Sequence, residues 1–183
     1  MFKRKTLISL MLIIFLLIFN SSSAYAYNLY GYKWSSPSIK YYYDNYISTR
    51  CKTFIGTAVS TWSSQGTKVS FSFSSTSPYV YCSEVSDSNA TWDGITYISW
   101  GSNGYVTSAT VVLNSGVTRT WNNDGALKSV AVHEFGHVLG LDENGTDKCI
   151  MNDATWGLQS RYETYSLTTP QKADVDAIKY LYP

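Results

Sequence analysis

Charge is sparse in this 183-residue chain: Asp, Glu, Lys and Arg make up 15% of it, and no cluster of Lys or Arg follows residue 5. The basic footprint by which a protein holds nucleic acid is therefore missing. Hydrophobic runs are sparse too. Residues 7–19 are apolar apart from Ser9, and nothing later is long enough to cross a bilayer. No repeat is apparent, and no linker is long enough to separate two domains. Cysteine occurs three times, at Cys51, Cys82 and Cys149. An odd number allows at most one intramolecular disulfide, of unreadable pairing, and leaves a thiol over, buried or reactive. Histidine occurs only twice, so chemistry that needs two imidazoles has one place to happen.

What is present begins with an export signal. Lys3, Arg4 and Lys5 form a basic start, the apolar run follows, and Ala24-Tyr25-Ala26 offers a cleavage site before Tyr27. The expectation is a secretory signal at residues 1–26 and one domain at 27–183, with no membrane attachment after cleavage and a monomeric product. Removing the signal takes away three cations and no anions, so the formal net charge changes from +1 to −2. The remaining chain is rich in Tyr, Trp, Ser and Thr, which suits an extracellular surface of strands and turns. Its aromatics are read as core and sheet packing rather than as a stacking platform.

The periodicity predicts a mixture of strands and helices. Residues 39–43 are β-prone, and apolar residues at Ile47, Cys51, Phe54, Ile55, Ala58, Val59 and Trp62 mark one face of a helix over 47–64. Residues 69–73 alternate as a half-buried strand does, and 79–81 form a short strand in a polar stretch. Two stronger strands follow at 95–100 and 109–113, separated by the turn-prone Gly101-Ser102-Asn103-Gly104. Asn122, Asn123 and Asp124 can cap a helix running to about Leu139, and a last helix begins near Thr169 with Pro170 at its first position.

Within the second of these helices lies His133-Glu134-Phe135-Gly136-His137-Val138-Leu139-Gly140, the pattern HExxHxxG. Histidines four apart share a helix face, where both imidazoles can reach a single zinc, and the glutamate beside the first can act on zinc-bound water. Gly140 lets the chain turn sharply and return a later residue to the metal.

This motif, with Met151 in Cys149-Ile150-Met151-Asn152 downstream, resembles the metzincin metalloproteases, and within them the matrixins of secreted bacterial type. The likeness covers most of residues 30–183: Lys33-Trp34, the first strand and the helix ending near Trp62 match the layout, and the stretch 167–182 is similar to the closing helix. The resemblance implies an α+β, zincin-like domain with a twisted mixed sheet of about five strands, three helices, and an active-site helix followed by a Met-turn at Met151. It implies a zinc endopeptidase acting on extracellular proteins or peptides, with one catalytic zinc held by His133 and His137 and Glu134 as general base. The substrate is expected to pair with an exposed sheet edge, for which 95–100 is the candidate, and to be selected by a pocket near residues 153–162.

The pattern is broken in one place. The matrixin motif ends in a third histidine three residues after the glycine, and Glu143 stands there. Two histidines and a glutamate are a normal catalytic zinc set, so Glu143 is the expected third ligand, with Asp142, Asp147 and Glu163 as the other carboxylates to weigh. The same departure raises an alternative: a metzincin-fold binding protein without catalysis. No propeptide is expected between signal and domain, and no spare histidine remains for a second, structural zinc. Calcium could be held by Asp87, Asp93 or Asp124 with backbone carbonyls, although aspartates in loops more often form turns.

Overall fold

In the computed structural model, described for residues 27–77, 79–145 and 147–183, the first regular element is strand β1, Ser38–Tyr43, which turns Ile39 and Tyr41 inward. The expected signal at residues 1–26 lies outside the described residues. Helix α1, Thr49–Ser63, is capped by the Ser48 side chain, which accepts from the Cys51 amide. It buries Cys51, Ile55, Ala58, Val59 and Trp62, the face that periodicity marked. Strands β2 (Ser70–Phe73), β3 (Val80–Val85), β4 (Gly94–Trp100) and β5 (Val106–Asn114) follow. Then come a short helix α2, Thr118–Trp121, the long helix α3, Asp124–Val138, and helix α4, Lys172–Leu181.

The sheet order is β2-β1-β3-β5-β4. Among the described strands four run parallel and β4, at one edge, runs antiparallel to its neighbour β5. A register shift at Ser99/Trp100 marks the end of that edge strand. Helices α1 and α3 cover the inner face, where Ile39, Val80, Cys82, Val111 and Leu113 meet Ile55, Trp62, Val130 and Phe135 in one hydrophobic core. The Trp62 indole donates to the Val132 carbonyl at 2.8 Å, tying α1 to the middle of α3.

The α+β architecture with a five-stranded mixed sheet is the expected one, with three refinements. The four-residue α2 adds a helix that no sequence pattern marked. Strand β3 is longer than 79–81, because pairing with β5 carries it through Ser83, Glu84 and Val85 despite their weak local pattern. Helix α4 starts two residues after Pro170: the Asp174 carboxylate accepts the Gln171 amide at 2.6 Å, so Gln171 caps the helix and Pro170 stands outside it. All three cysteines are free and buried. Burial pushes the Cys51 and Cys149 thiols up to about 12, and Cys82 higher still.

Candidate active site

Helix α3 carries the motif and is buried on all sides, with twelve of its fifteen residues inaccessible. Such a helix needs both ends satisfied by protein. At its start the Asn123 side chain accepts from the Ala126 amide at 3.1 Å. At its end three aromatic donors take the last carbonyls: Tyr32 hydroxyl on His137 (3.2 Å), Trp34 indole on Val138 (2.8 Å) and Tyr182 hydroxyl on Leu139 (3.0 Å).

The helix stops as Gly140 predicts. Its φ is +100°, and the amides of Gly140 and Leu141 return to the carbonyls of His137 (2.9 Å) and Gly136 (3.1 Å), the double bond of a glycine C-terminal cap. A Cβ at residue 140 would lie 2.5 Å from the Tyr32 carbonyl oxygen, so the position excludes side chains twice over. The chain then pairs with its own start: Leu29 bridges Leu141, the Asp142 amide donates to the Asn28 carbonyl (3.0 Å), and the Asn28 side-chain amide donates to the Glu143 carbonyl (2.8 Å).

These bonds bring His133, His137 and Glu143 together, with one ligand atom from each inside a 4.8 Å cluster. The Nδ1 atoms of His133 and His137 lie 2.9 Å from the carbonyls of Ile150 and Leu141 respectively. A carbonyl only accepts, so each Nδ1 carries the proton and each Nε2 offers a lone pair. The two Nε2 atoms are 3.0 Å apart, and each is 3.3 Å from Glu143 Oε1. Three acceptors facing one another, the two imidazoles buried and the carboxylate partly exposed, are what a cation needs, and the donor set suits zinc. The charges respond accordingly. Burial works against the His137 cation, but Glu143 and Glu134 beside it raise its pKa. Burial likewise works against the Glu143 carboxylate, which the two imidazoles hold well below the ordinary carboxylate range.

Glu134 is 4% exposed, and its Oε2 receives the Thr96 hydroxyl at 2.7 Å. Strand β4, from which Thr96 projects, is the sheet edge beside the helix, as expected of 95–100. Met151, 2% exposed, lies against α3 at Gly136, where its sulfur occupies the space a Cβ would need. The turn around it is held by Asp174, whose Oδ2 accepts the Ile150 amide at 3.0 Å. A cleft of about 440 Å³ opens from His133, Glu134 and Glu143 toward Asp153, Thr155 and Arg161, within the span foreseen for the selecting pocket.

The other carboxylates are engaged elsewhere. Asp142 accepts the Glu143 amide at 2.7 Å; Glu163 accepts from Arg119 (2.7 Å) and the Gly157 amide (2.5 Å). Asp147 is outside the cluster. Of the calcium candidates, Asp87 accepts the Asn89 amide as a turn former, Asp93 accepts the Thr120 hydroxyl, and Asp124 pairs with Arg50. Sequence reasoning missed Thr96, Asn28 and Arg161, which carry no motif; only their neighbours in space mark them.

The matrixin family model matches residues 33–183. The chain belongs to the matrixin family. No curated protein matches it. Membership brings a zinc metalloendopeptidase at the level of the family, and with it peptide substrates. In this matrixin no helix among the described residues is long and apolar enough to cross a membrane.

Proposed function

We propose that this matrixin is a secreted zinc-dependent endopeptidase in which His133, His137 and Glu143 hold the metal and Glu134 is the general base. The observation that carries the reading is the convergence of two Nε2 atoms and Glu143 Oε1 beside a buried Glu134 at the mouth of a cleft. Zinc, when bound, supplies a Lewis acid that polarises a carbonyl and makes water nucleophilic near neutral pH.

The chain's own residues do the rest. Glu134 takes a proton from the attacking water and returns it to the leaving amine, while the Thr96 hydroxyl fixes which of its oxygens faces the cleft. The exposed edge of β4 offers its unpaired backbone groups to an extended peptide, a mode of binding tolerant of sequence. Glu143 takes the place of the third histidine, and Met151 and Gly140 shape the floor and the turn. The reading as a binding protein without catalysis is not better supported. Export with cleavage after Ala26, and a monomer of residues 27–183, complete the proposal.

The test is hydrolysis of casein by residues 27–183, with and without a zinc chelator, beside Glu134→Ala. Chelator-sensitive cleavage should fall by roughly a hundredfold or more in the variant with its zinc retained, the usual worth of a general base. Undiminished turnover in Glu134→Ala would remove that residue from the mechanism.

A further inference from the structure

The cleft beside the proposed zinc ligands takes its lining from distant parts of the chain. Trp92 and Asp93, just ahead of strand β4, form one wall, and Thr155 and Trp156, beyond the Met-turn, form another. Both walls are bonded to Thr120 of helix α2, a residue with 0% exposure. The Trp156 indole Nε1 donates to the Thr120 hydroxyl oxygen at 2.8 Å, and that hydroxyl donates to Asp93 Oδ2 at 2.9 Å. An indole N–H only donates and a carboxylate only accepts, so the threonine hydroxyl does both and the direction of the chain is fixed.

Each end of this chain is fastened in its own right. Arg119, the neighbour of Thr120 in α2, lies over the Trp156 ring at 3.9 Å and pairs with Glu163 at 2.7 Å, while Tyr162 meets the ring edge-on at 5.5 Å between centroids. On the other side the Asn114 amide donates to the Asp93 carbonyl at 3.0 Å, and the Asn114 side chain donates to the carbonyls of Asp87 (2.9 Å) and Trp92 (3.1 Å). Thr120 joins the two fastened walls. Asp93 immediately precedes β4, whose edge is offered to the substrate backbone, and Trp156 stands in the wall that a substrate side chain would meet. The threonine therefore ties the part that holds the backbone to the part that reads the side chain.

We infer that Thr120 is a positioning residue that determines specificity, by holding the cleft at a fixed width against the β4 edge. This rests on the endopeptidase reading above and names the residue through which its cleft discriminates by size. Replacing the hydroxyl with a methyl group breaks both bonds at once and leaves a buried indole N–H and a carboxylate oxygen against an apolar group. The least costly remedy is for the walls to part and admit water, which loosens the fit.

The test is a set of otherwise identical peptides with Ala, Leu, Phe or Trp at each residue flanking the scissile bond. Two quantities are measured for Thr120, Thr120→Val and Thr120→Ser proteins: kcat/KM of the zinc-loaded enzyme, and peptide affinity with Glu134→Ala added. At the flanking position that enters the cleft, the wild type should spread the series by about tenfold or more, the usual worth of size in a bounded pocket. Thr120→Val, equal in shape, should shrink that spread at least about fivefold, and Thr120→Ser, which keeps the hydroxyl, should hold it within about twofold of wild type. The Trp156 indole N–H, identified by NMR through its loss in Trp156→Phe, should exchange with solvent at least about tenfold faster in Thr120→Val and at the wild-type rate in Thr120→Ser. An unchanged spread or an equal loss for all four peptides in Thr120→Val overturns the inference, as do unchanged indole exchange and a wild type that uses all four alike. If Thr120→Val does not fold, Trp156→Phe, which loses the donor and keeps an aromatic ring, takes its place with the same expected loss of spread. Failure of casein cleavage would sink the endopeptidase reading, while the affinities and the indole exchange would still report on the link.

Discussion

Helix α3 and the irregular stretch that follows it, residues 139–171, supply the two walls of the same site by opposite means. In the helix the spacing of His133 and His137 follows from backbone geometry, and burial on every side holds it rigid. Among the described residues of the stretch after it no helix or strand is present, and position depends on single polar side chains. Asn152, 1% exposed, donates from Nδ2 to the carbonyls of Asp147 (3.0 Å) and Gln159 (2.7 Å) and accepts the Ala154 amide at 3.0 Å. Arg161 and Asp174 fasten other parts in the same way. Regular structure distributes its support over many equivalent bonds; irregular structure concentrates it in a few side chains, each with more to lose.

That contrast can be broken most strongly on the helix side, where the expected effects are chemical. His133→Ala or His137→Ala should lose zinc from the purified protein, read by elemental analysis, while α3 itself stays folded by circular dichroism because its apolar residues are untouched. Full zinc content in either variant would remove that histidine from the ligand set. On the loop side Glu143→Gln keeps shape and loses charge. Its zinc affinity should fall by at least the roughly 10–100-fold that a lost supporting partner costs a metal site, measured by competition with a chelator.

Smaller effects sharpen the comparison in stability. Asn152→Ala leaves two carbonyls and an amide, all in part-buried bonds, without their side-chain partner and should cost about 3 kcal/mol, lowering the unfolding midpoint by roughly 10 °C in calorimetry. Gly140→Ala forces a side chain into a φ of +100° and against the Tyr32 carbonyl, with an expected loss of about 2–3 kcal/mol. Should both variants melt with the wild type, the concentrated support described here does not exist. The smallest expected effect is on the thiols. Burial and raised pKa values should leave Cys51, Cys82 and Cys149 unlabelled by iodoacetamide at pH 8 in the folded protein, and labelling seen by mass spectrometry would show an opening not present in this structure.

The helix side was also the more legible. Apolar spacing in α1, the β-prone runs of β1 and β2, and the histidine pair in α3 are local patterns, and each marks an element of the fold. Glu143 was legible through Gly140, because a glycine cap bends the next residues back over the helix they leave. The fastening of 139–171 was not legible, since Asn152, Arg161 and Asp174 act on backbone groups that no short pattern predicts. The start of α4 shifted for the same reason: Asp174 captures the Gln171 amide and displaces Pro170 from the helix.

The amino-acid order by itself determined that two imidazoles share one helix face with a carboxylate beside the first, that the helix ends at a glycine, and that a carboxylate stands where a third ligand is wanted. Those are consequences of 3.6-residue periodicity and of one residue's freedom at positive φ. Only the tertiary structure decided that Glu143 rather than Asp142, Asp147 or Glu163 faces the imidazoles, because pairing with Asn28 and Leu29 aims the loop. It alone decided that Thr96 meets Glu134 and that a buried Arg161 closes the cleft, since both contacts join segments far apart in the chain.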